Sequence, residues 1–158
     1  EGYSVQLFMI GGERKQKKEA KKEPVWYTRI EIPDPYYPNF VRWFRSIAPN
    51  FDLAIAPVAD TEFNKCKSPL KFLQYSAAGL PSICSNYTPY KDIISNGING
   101  FLVDNQPNSW YDIIIKCLND RDKIQTVANY AYQLVINKYL MRNYIDKYYT
   151  LFWHTLLK

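Results

Sequence analysis

The sequence predicts a doubly wound α/β domain: a mostly parallel sheet with helices on both faces, Rossmann-like, and a helical C-terminus. Three observations support this prediction. Short apolar runs of strand type alternate along the chain with segments of helical periodicity. The run at residues 52–57 is apolar throughout its centre, as strands in a buried parallel sheet are. The length of 158 residues suits one domain with a substantial core.

The first half of the predicted fold begins with two strands. Residues 4–10 form the first strand, which ends at Gly11-Gly12. A charged stretch follows, predicted as a short helix or a loop, and the second strand covers residues 25–30. The proline-rich segment 33–38 cannot be helical.

The remaining elements alternate in the same way until the chain becomes helical. They are a helix at 39–48, a strand at 52–57, a loop at 58–66, a helix from Pro69 to about Gly79, a strand at 82–85, a short helix at 90–95, a strand at 100–103, and helices at 109–118, 120–137 and 143–157.

One predicted helix begins with charges of unfavourable sign. Ser68 is a suitable N-cap and Pro69 occupies the favoured first helical position. The N-terminal end of a helix carries partial positive charge, yet Lys65, Lys67 and Lys71 surround this one. A bound anion, held by free N–H groups and lysines, would explain the arrangement. Three solvated lysines are the alternative, and the pattern alone leaves it open.

The predicted fold places this helix start where ligands bind. In parallel α/β sheets, ligands lie outside the carboxyl ends of the strands, where loops meet helix N-termini. The loop that follows residues 52–57 leads there, and so does Gly11-Gly12. The charge argument and the fold argument therefore favour a phosphate-type ligand at the same edge.

Composition excludes several classes of protein. No apolar run approaches the length of a membrane span, and no secretory signal is visible in residues 1–10. The three cysteines show neither a zinc nor a disulfide pattern, so we expect a cytoplasmic chain with reduced thiols. The fourteen tyrosines lack a base-stacking motif, and nucleic acid is therefore not an expected partner. No carboxylate cluster has ligand spacing, so no metal is expected.

The formal net charge of +5 comes largely from one basic run. A solvated polar segment is the simpler interpretation, and peripheral contact with the inner face of a membrane is the alternative. The basic residues of this run are Arg14, Lys15, Lys17, Lys18, Lys21 and Lys22.

Several segments together resemble one known family. They read FDLAIAP at 51–57, FNKCKSPLKFLQYSAAGLPSICS at 63–85, YKDII at 90–94 and NGINGFLV at 96–103. In combination they resemble the C-terminal, donor-binding domain of family 4 (group 1) glycosyltransferases, which have two Rossmann-like domains in the GT-B fold. The resemblance implies a retaining, hexosyltransferase-type enzyme that moves sugar from a nucleotide diphosphate sugar to a glycan, lipid or polysaccharide acceptor.

The resemblance also implies roles for individual residues. Lys67 would be catalytic, by neutralising the departing nucleoside diphosphate. Ser68 and the amides of Leu70 and Lys71 would hold the pyrophosphate beside it, and Gln74 would orient the ribose. The full set of expected donor-binding residues is Gly11, Gly12, Lys65, Cys66, Ser68, Pro69, Leu70, Lys71 and Gln74. At the two glycines the backbone could approach the ligand closely, and a simple strand-ending turn is the alternative.

The sequence departs from the family pattern at three points. Cys66 and Gln74 stand where family members carry a pair of glutamates that contact the donor sugar and the ribose. The chain begins at what resembles the second strand of such a domain, and the N-terminal acceptor domain is absent from it. We therefore expect one donor-binding domain over residues 1–158 that is inactive by itself. A degenerate, non-catalytic binding or scaffolding module is the alternative.

Overall fold

The structure, a computed structural model, describes residues 2, 4–11 and 24–156. The chain divides into two compact units, Glu1–Phe44 and Arg45–Lys158, and each is described by itself. Gly12 and the basic run at residues 14–22 lie outside the described residues.

The first unit contains a pair of parallel strands. β1 (Leu7–Ile10) pairs with β2 (Tyr27–Ile30), with Leu7 opposite Tyr27 in the register. Helix α1 (Tyr37–Ile47) begins two residues earlier than the sequence predicts. The prediction that residues 33–38 cannot be helical is therefore wrong at Tyr37 and Pro38, because the first turn of a helix tolerates proline. Asp34 accounts for this start, because its carboxylate accepts hydrogen bonds from the Tyr36 N–H at 2.8 Å and the Asn39 side-chain amide at 2.6 Å. The same bonds lower the pKa of Asp34.

The second unit is built on a three-stranded parallel sheet. β3 (Ala54–Ala56), β4 (Ser82–Ser85) and β5 (Phe101–Val103) lie in that order. The helices are α2 (Glu62–Lys65), α3 (Leu70–Ala77), α4 (Pro107–Asn119), α5 (Arg121–Lys138) and α6 (Ile145–Leu156), with 3₁₀ turns at Ala48–Asn50 and Met141–Asn143.

Both faces of this sheet are covered by helices. Successive strand side chains point to opposite faces, so Ile83 and Cys84 of β4 enter different clusters. Cys84 packs with Phe72 of α3 on one face, and Ile83 packs with Cys117 of α4 on the other. All four residues of β4 are buried. The predicted α/β architecture of parallel strands with helices around them is confirmed.

The described strands form two parallel sheets, one in each unit, and one predicted helix is not formed. The predicted short helix at 90–95 is a series of turns. These turns do not continue as a helix, because the Ser95 N–H donates to the Asn99 side chain at 2.7 Å instead of to a carbonyl four residues back. Asn99 is buried and also donates to the Ile93 carbonyl, which fixes the turn.

The predicted end of α3 at Gly79 is confirmed. Gly79 follows the last helical residues with φ of +77°, a left-handed conformation. Its N–H donates to the Ser76 carbonyl at 3.0 Å, and the Leu80 N–H donates to the Tyr75 carbonyl at 2.9 Å. These two bonds form a Schellman motif, which satisfies carbonyls at the helix end and directs the chain into β4.

We predict that Gly79→Ala lowers the free energy of unfolding by about 1–2 kcal/mol, since alanine pays the cost of left-handed backbone. A Cβ at this position meets no atom within 4 Å, so a steric clash does not contribute. Urea denaturation measures the change. Gly79→Asn is the control and should lose less, because asparagine tolerates this conformation. Equal stability of Gly79→Ala and the unmodified protein would contradict the assignment.

Candidate functional site

The carboxyl edge of the three-stranded sheet is tied together by one polar triangle. Val58, in the loop after β3, donates its N–H to the Ser85 hydroxyl at 2.8 Å. Ser85, the last residue of β4, donates that hydroxyl to the Asn105 side-chain oxygen at 2.7 Å. Asn105 closes the triangle by donating its amide to the Val58 carbonyl at 2.6 Å. Three strands thus share one fixed point at their carboxyl ends, and we call it the Val58 triangle.

The segment after the triangle contains a helix that the sequence does not predict. Residues 58–66 are predicted as a loop, but α2 occupies Glu62–Lys65. Thr61 is its N-cap and accepts from the Asn64 N–H at 3.2 Å. The Asn64 side chain donates back to the Ala59 carbonyl at 2.9 Å, so the short helix is anchored to the loop beside Val58.

Lys65 is engaged within α2. Its ammonium donates to the Glu62 carboxylate at 2.7 Å and lies 3.5 Å from Asp60. The hydrogen bond to Glu62, together with the charge of Asp60, raises the pKa of Lys65. The positive charge of Lys65 is therefore balanced by carboxylates of its own segment, and it is the least available of the three lysines for an external anion.

Lys67 differs from Lys65 in its surroundings. Its ammonium lies 4.9 Å from the centre of the exposed Phe63 ring, a cation–π contact. Within the described part of the chain, no carboxylate forms an ion pair with it. Its backbone N–H donates to the Asn64 carbonyl at 3.2 Å. Lys67 thus presents an uncompensated charge from a backbone position that α2 fixes.

The beginning of α3 lies one residue later than predicted. Pro69, and not the predicted Ser68, is the N-cap, and it makes no side-chain capping hydrogen bond. Pro69 has φ and ψ of −76° and 32°, and its carbonyl accepts from the Leu73 N–H at 3.1 Å. Because the first N–H groups of a helix lack intrahelical acceptors, the amides of Leu70 and Lys71 are available to a ligand.

The other predicted site residues occupy different surroundings. Cys66 is an exposed free thiol at the C-terminal end of α2. Lys71 is exposed, whereas Gln74 is half-buried one turn further along α3. Gly11 lies in the first unit with φ of +72°, and its N–H donates to the Ile30 carbonyl at 3.0 Å. Gly11 thus directly follows the last residue of β1 and adopts a left-handed backbone conformation.

A cleft lies at the opposite, amino edge of the sheet. It has a volume of about 350 Å³ and lies between the start of β3, the end of α3 and the start of α5. An exposed ion pair between Asp52 and Arg121, 3.1 Å apart, stands beside it. No predicted site residue lines this cleft.

Two further searches concern metals and membranes. Across residues 2, 4–11 and 24–156, no group of three or more His, Cys, Asp or Glu side chains could hold a metal ion. No helix in the same part of the chain is both long and apolar enough to cross a membrane. The predicted membrane contact through the basic run concerns residues outside that part and stays a prediction, as does the cytoplasmic location.

Sequence reasoning missed the polar residues that support the site. Ser85 and Asn105 follow the apolar cores of β4 and β5, at the carboxyl ends where parallel strands meet. That position was a usable signal. No sequence signal indicates Asn64, since its bond to the Ala59 carbonyl depends on helix α2, which the sequence does not predict.

Comparison with known proteins identifies the family. The family model described as glycosyl transferases group 1 matches residues 1–120, well over half of the chain. This chain belongs to the group 1 glycosyltransferases. The resemblance seen in the sequence is confirmed. None of the curated proteins matches significantly.

Solved structures of glycosyltransferases share the fold. The glycosyltransferase from Rickettsia africae gives a TM-score of 0.61 at 18% identity, covering 84% of this chain and 32% of that one. The C-terminal domain of LpcC from Francisella tularensis gives a TM-score of 0.55 at 22% identity, covering 73% of this chain and 55% of that one. HepE from Anabaena, solved in complex with UDP-glucose, gives a TM-score of 0.56 at 16% identity, covering 68% of this chain and 27% of that one. The chain thus corresponds to between 27% and 55% of the length of these structures.

We predict that one thiol reacts rapidly in the folded group 1 glycosyltransferase chain. Burial raises the pKa of Cys84 to about 12 and that of Cys117 to about 11, so both stay protonated and inaccessible at pH 8. Cys66 is exposed. Titration with an aromatic disulfide reagent should count one thiol in buffer and three in denaturant, and none rapidly in Cys66→Ser. Rapid reaction of three thiols in buffer would contradict the described core.

Proposed function

We propose that this chain is the donor-binding part of a retaining glycosyltransferase, in which the start of α3 and the turn before it bind the diphosphate of a nucleotide sugar. The enzyme would act in the assembly of a polysaccharide, lipopolysaccharide or protein-linked glycan and would transfer a hexose. Family membership supports transferase chemistry, and HepE, which shares the fold, was solved with UDP-glucose.

One observation carries the proposal more than any other. Lys67 holds a positive charge that no carboxylate of the described residues pairs with, directly before a helix whose first amides have no side-chain cap. Charge and helix dipole act together on an anion at such a position. Lys65 was expected to share this role, but its pairing with Glu62 makes it a minor contributor.

The mechanism needs little covalent chemistry from the protein. As the bond between sugar and phosphate breaks, negative charge grows on the departing diphosphate, and Lys67 would neutralise it. The amides of Leu70 and Lys71 would donate to the phosphate oxygens, and the Ser68 hydroxyl would add a donor. Pro69 has no N–H and cannot donate to the phosphate oxygens. Gln74 would orient the ribose through its amide.

The proposed mechanism uses no metal ion and no organic cofactor. Lysine and helix amides supply the positive potential that a divalent cation provides at other phosphate sites. The glycan, lipid or polysaccharide acceptor would be bound by an N-terminal domain of the same enzyme, so we expect this chain to bind donor but not to transfer sugar by itself. Gly11 and Gly12 stay predicted contributors to donor binding.

A non-catalytic binding module is the second candidate. Two neutral residues, Cys66 and Gln74, favour it, since the resembling family places carboxylates at both positions. A module of this kind would still bind a nucleoside diphosphate at α3. Consumption of the nucleotide sugar in the presence of the acceptor domain and a glycan or lipid acceptor separates the two functions, because only an active enzyme forms the new glycosidic bond and releases the nucleoside diphosphate.

We predict that Lys67→Ala weakens binding of a nucleoside diphosphate by about 1.5–3 kcal/mol, roughly tenfold to a hundredfold, because a charged contact to phosphate is lost. Calorimetric titration of the purified protein with UDP, GDP and ADP measures this change and also identifies the base. Lys65→Ala should weaken binding less, since Glu62 and Asp60 already balance its charge.

Lys138→Ala is the matched control. This lysine lies at the end of α5 over the Tyr139 ring, so its removal should leave the affinity unchanged. Equal loss in Lys67→Ala and Lys138→Ala would indicate nonspecific attraction to a basic protein. Tight binding that survives Lys67→Ala intact would contradict the proposed site.

A further inference from the structure

We propose that Asn105, Ser85 and Asn64 are positioning residues for Lys67, and that they act through one continuous set of hydrogen bonds from the carboxyl end of β5 to the diphosphate site. The inference rests on the proposed function for its catalytic meaning. The positioning itself is a property of the described contacts and is tested separately below.

The first step is the attachment of the loop to the sheet. Both backbone groups of Val58 are occupied: its N–H by Ser85 and its carbonyl by Asn105. Ser85 is fully buried, and the three bonds of the triangle measure 2.6–2.8 Å. A residue whose backbone N–H and carbonyl are both bonded, here by the buried Ser85 and the half-buried Asn105, has little freedom, so the loop leaves the sheet from a fixed point.

The second step carries this fixed point to α2. Ala59 follows Val58 directly, and its carbonyl accepts from the Asn64 side chain at 2.9 Å. The Thr61 N–H also donates to the Ala59 carbonyl, at 3.0 Å. The short helix is thus bound through Ala59 to the residue next to the triangle. A four-residue helix has little stability of its own, so its position depends on these bonds.

The third step is the attachment of Lys67 to α2. The Asn64 carbonyl accepts from the Lys67 N–H at 3.2 Å, so Asn64 contacts Ala59 with its side chain and Lys67 with its backbone. Phe63, the neighbouring residue of α2, lies under the Lys67 ammonium. Backbone and side chain of Lys67 therefore both take their place from α2, which the Val58 triangle locates. An ångström of displacement at a phosphate-binding charge is enough to reduce its effect.

Asn105 is suited to this task by its chemistry. It needs an acceptor for the Ser85 hydroxyl and a donor for the Val58 carbonyl, and a side-chain amide offers both. Asn105→Asp would keep the shape but place a carboxylate oxygen against the Val58 carbonyl. Asn105→Ala would remove both bonds. Each variant should release the loop, and Asn105→Asp should do so without creating a cavity.

The first test follows the loop directly. Hydrogen exchange of the purified protein, read by mass spectrometry, should speed up at least about tenfold over residues 58–67 in Asn105→Ala and in Asn64→Ala. Asn86→Ala is the matched control, since Asn86 bonds to Asp104 at the same edge but not to the loop. Unchanged exchange over residues 58–67 in the Asn64 variant, which removes no buried side chain, would overturn the proposal.

The second test connects position with binding. UDP, GDP and ADP are titrated against Asn105→Ala, Lys67→Ala and the double variant. Asn105→Ala should weaken the affinity for whichever of the three nucleotides binds by roughly fivefold to tenfold. The double variant should bind that nucleotide about as weakly as Lys67→Ala alone. Additive losses would overturn the proposal, because they would mean that Asn105 acts independently of Lys67.

The two tests separate the two claims. If the unmodified protein binds none of the three nucleotides, the proposed function fails, and the exchange measurement alone decides the positioning. If nucleotide binding is weakened in Lys67→Ala, while exchange is unchanged in Asn64→Ala and both exchange and affinity are unchanged in Asn105→Ala, the proposed function stands and the positioning fails.

Discussion

The site depends on the hydrogen bonds that hold Val58 at the carboxyl edge of the three-stranded sheet. Ser85 and Asn105 take both of its backbone groups, so β3, β4 and β5 share one attachment point. Buried polar groups are generally paired, and the buried Ser85 hydroxyl both accepts from the Val58 N–H and donates to Asn105. The positions of α2 and of the first turn of α3, which follow in the chain, depend on this attachment point.

The electrostatics of the site follow from where the carboxylates lie. Glu62 and Asp60 both neutralise Lys65, while Lys67 keeps its charge over the Phe63 ring. The next element is a helix start without a side-chain cap, so partial positive charge adds to the lysine instead of being quenched. The positive charge of Lys67 and the positive end of α3 repel each other, and a bound anion attracts both. The proposed donor diphosphate supplies that anion.

The sequence predicted what depends on local pattern and missed what depends on distant partners. Strands such as 82–85 and the long helix α5 follow from apolar periodicity, and the turn at Gly79 follows from its missing side chain. The triangle joins residues 27 and 47 positions apart, which no local pattern reveals. The helix predicted at 90–95 failed because Asn99 takes the Ser95 N–H. The lysines at α3 were found because their charges oppose the helix dipole.

The most direct measurement is a two-dimensional ¹H–¹⁵N spectrum recorded while UDP, GDP and ADP are added in turn. Our account predicts that one of them shifts the amide signals of Lys67, Leu70 and Lys71 most strongly. Signals from Arg121 and Gln125, beside the cleft at the amino edge, should stay in place. Shifts that cluster around that cleft, with the start of α3 unaffected, would contradict the account.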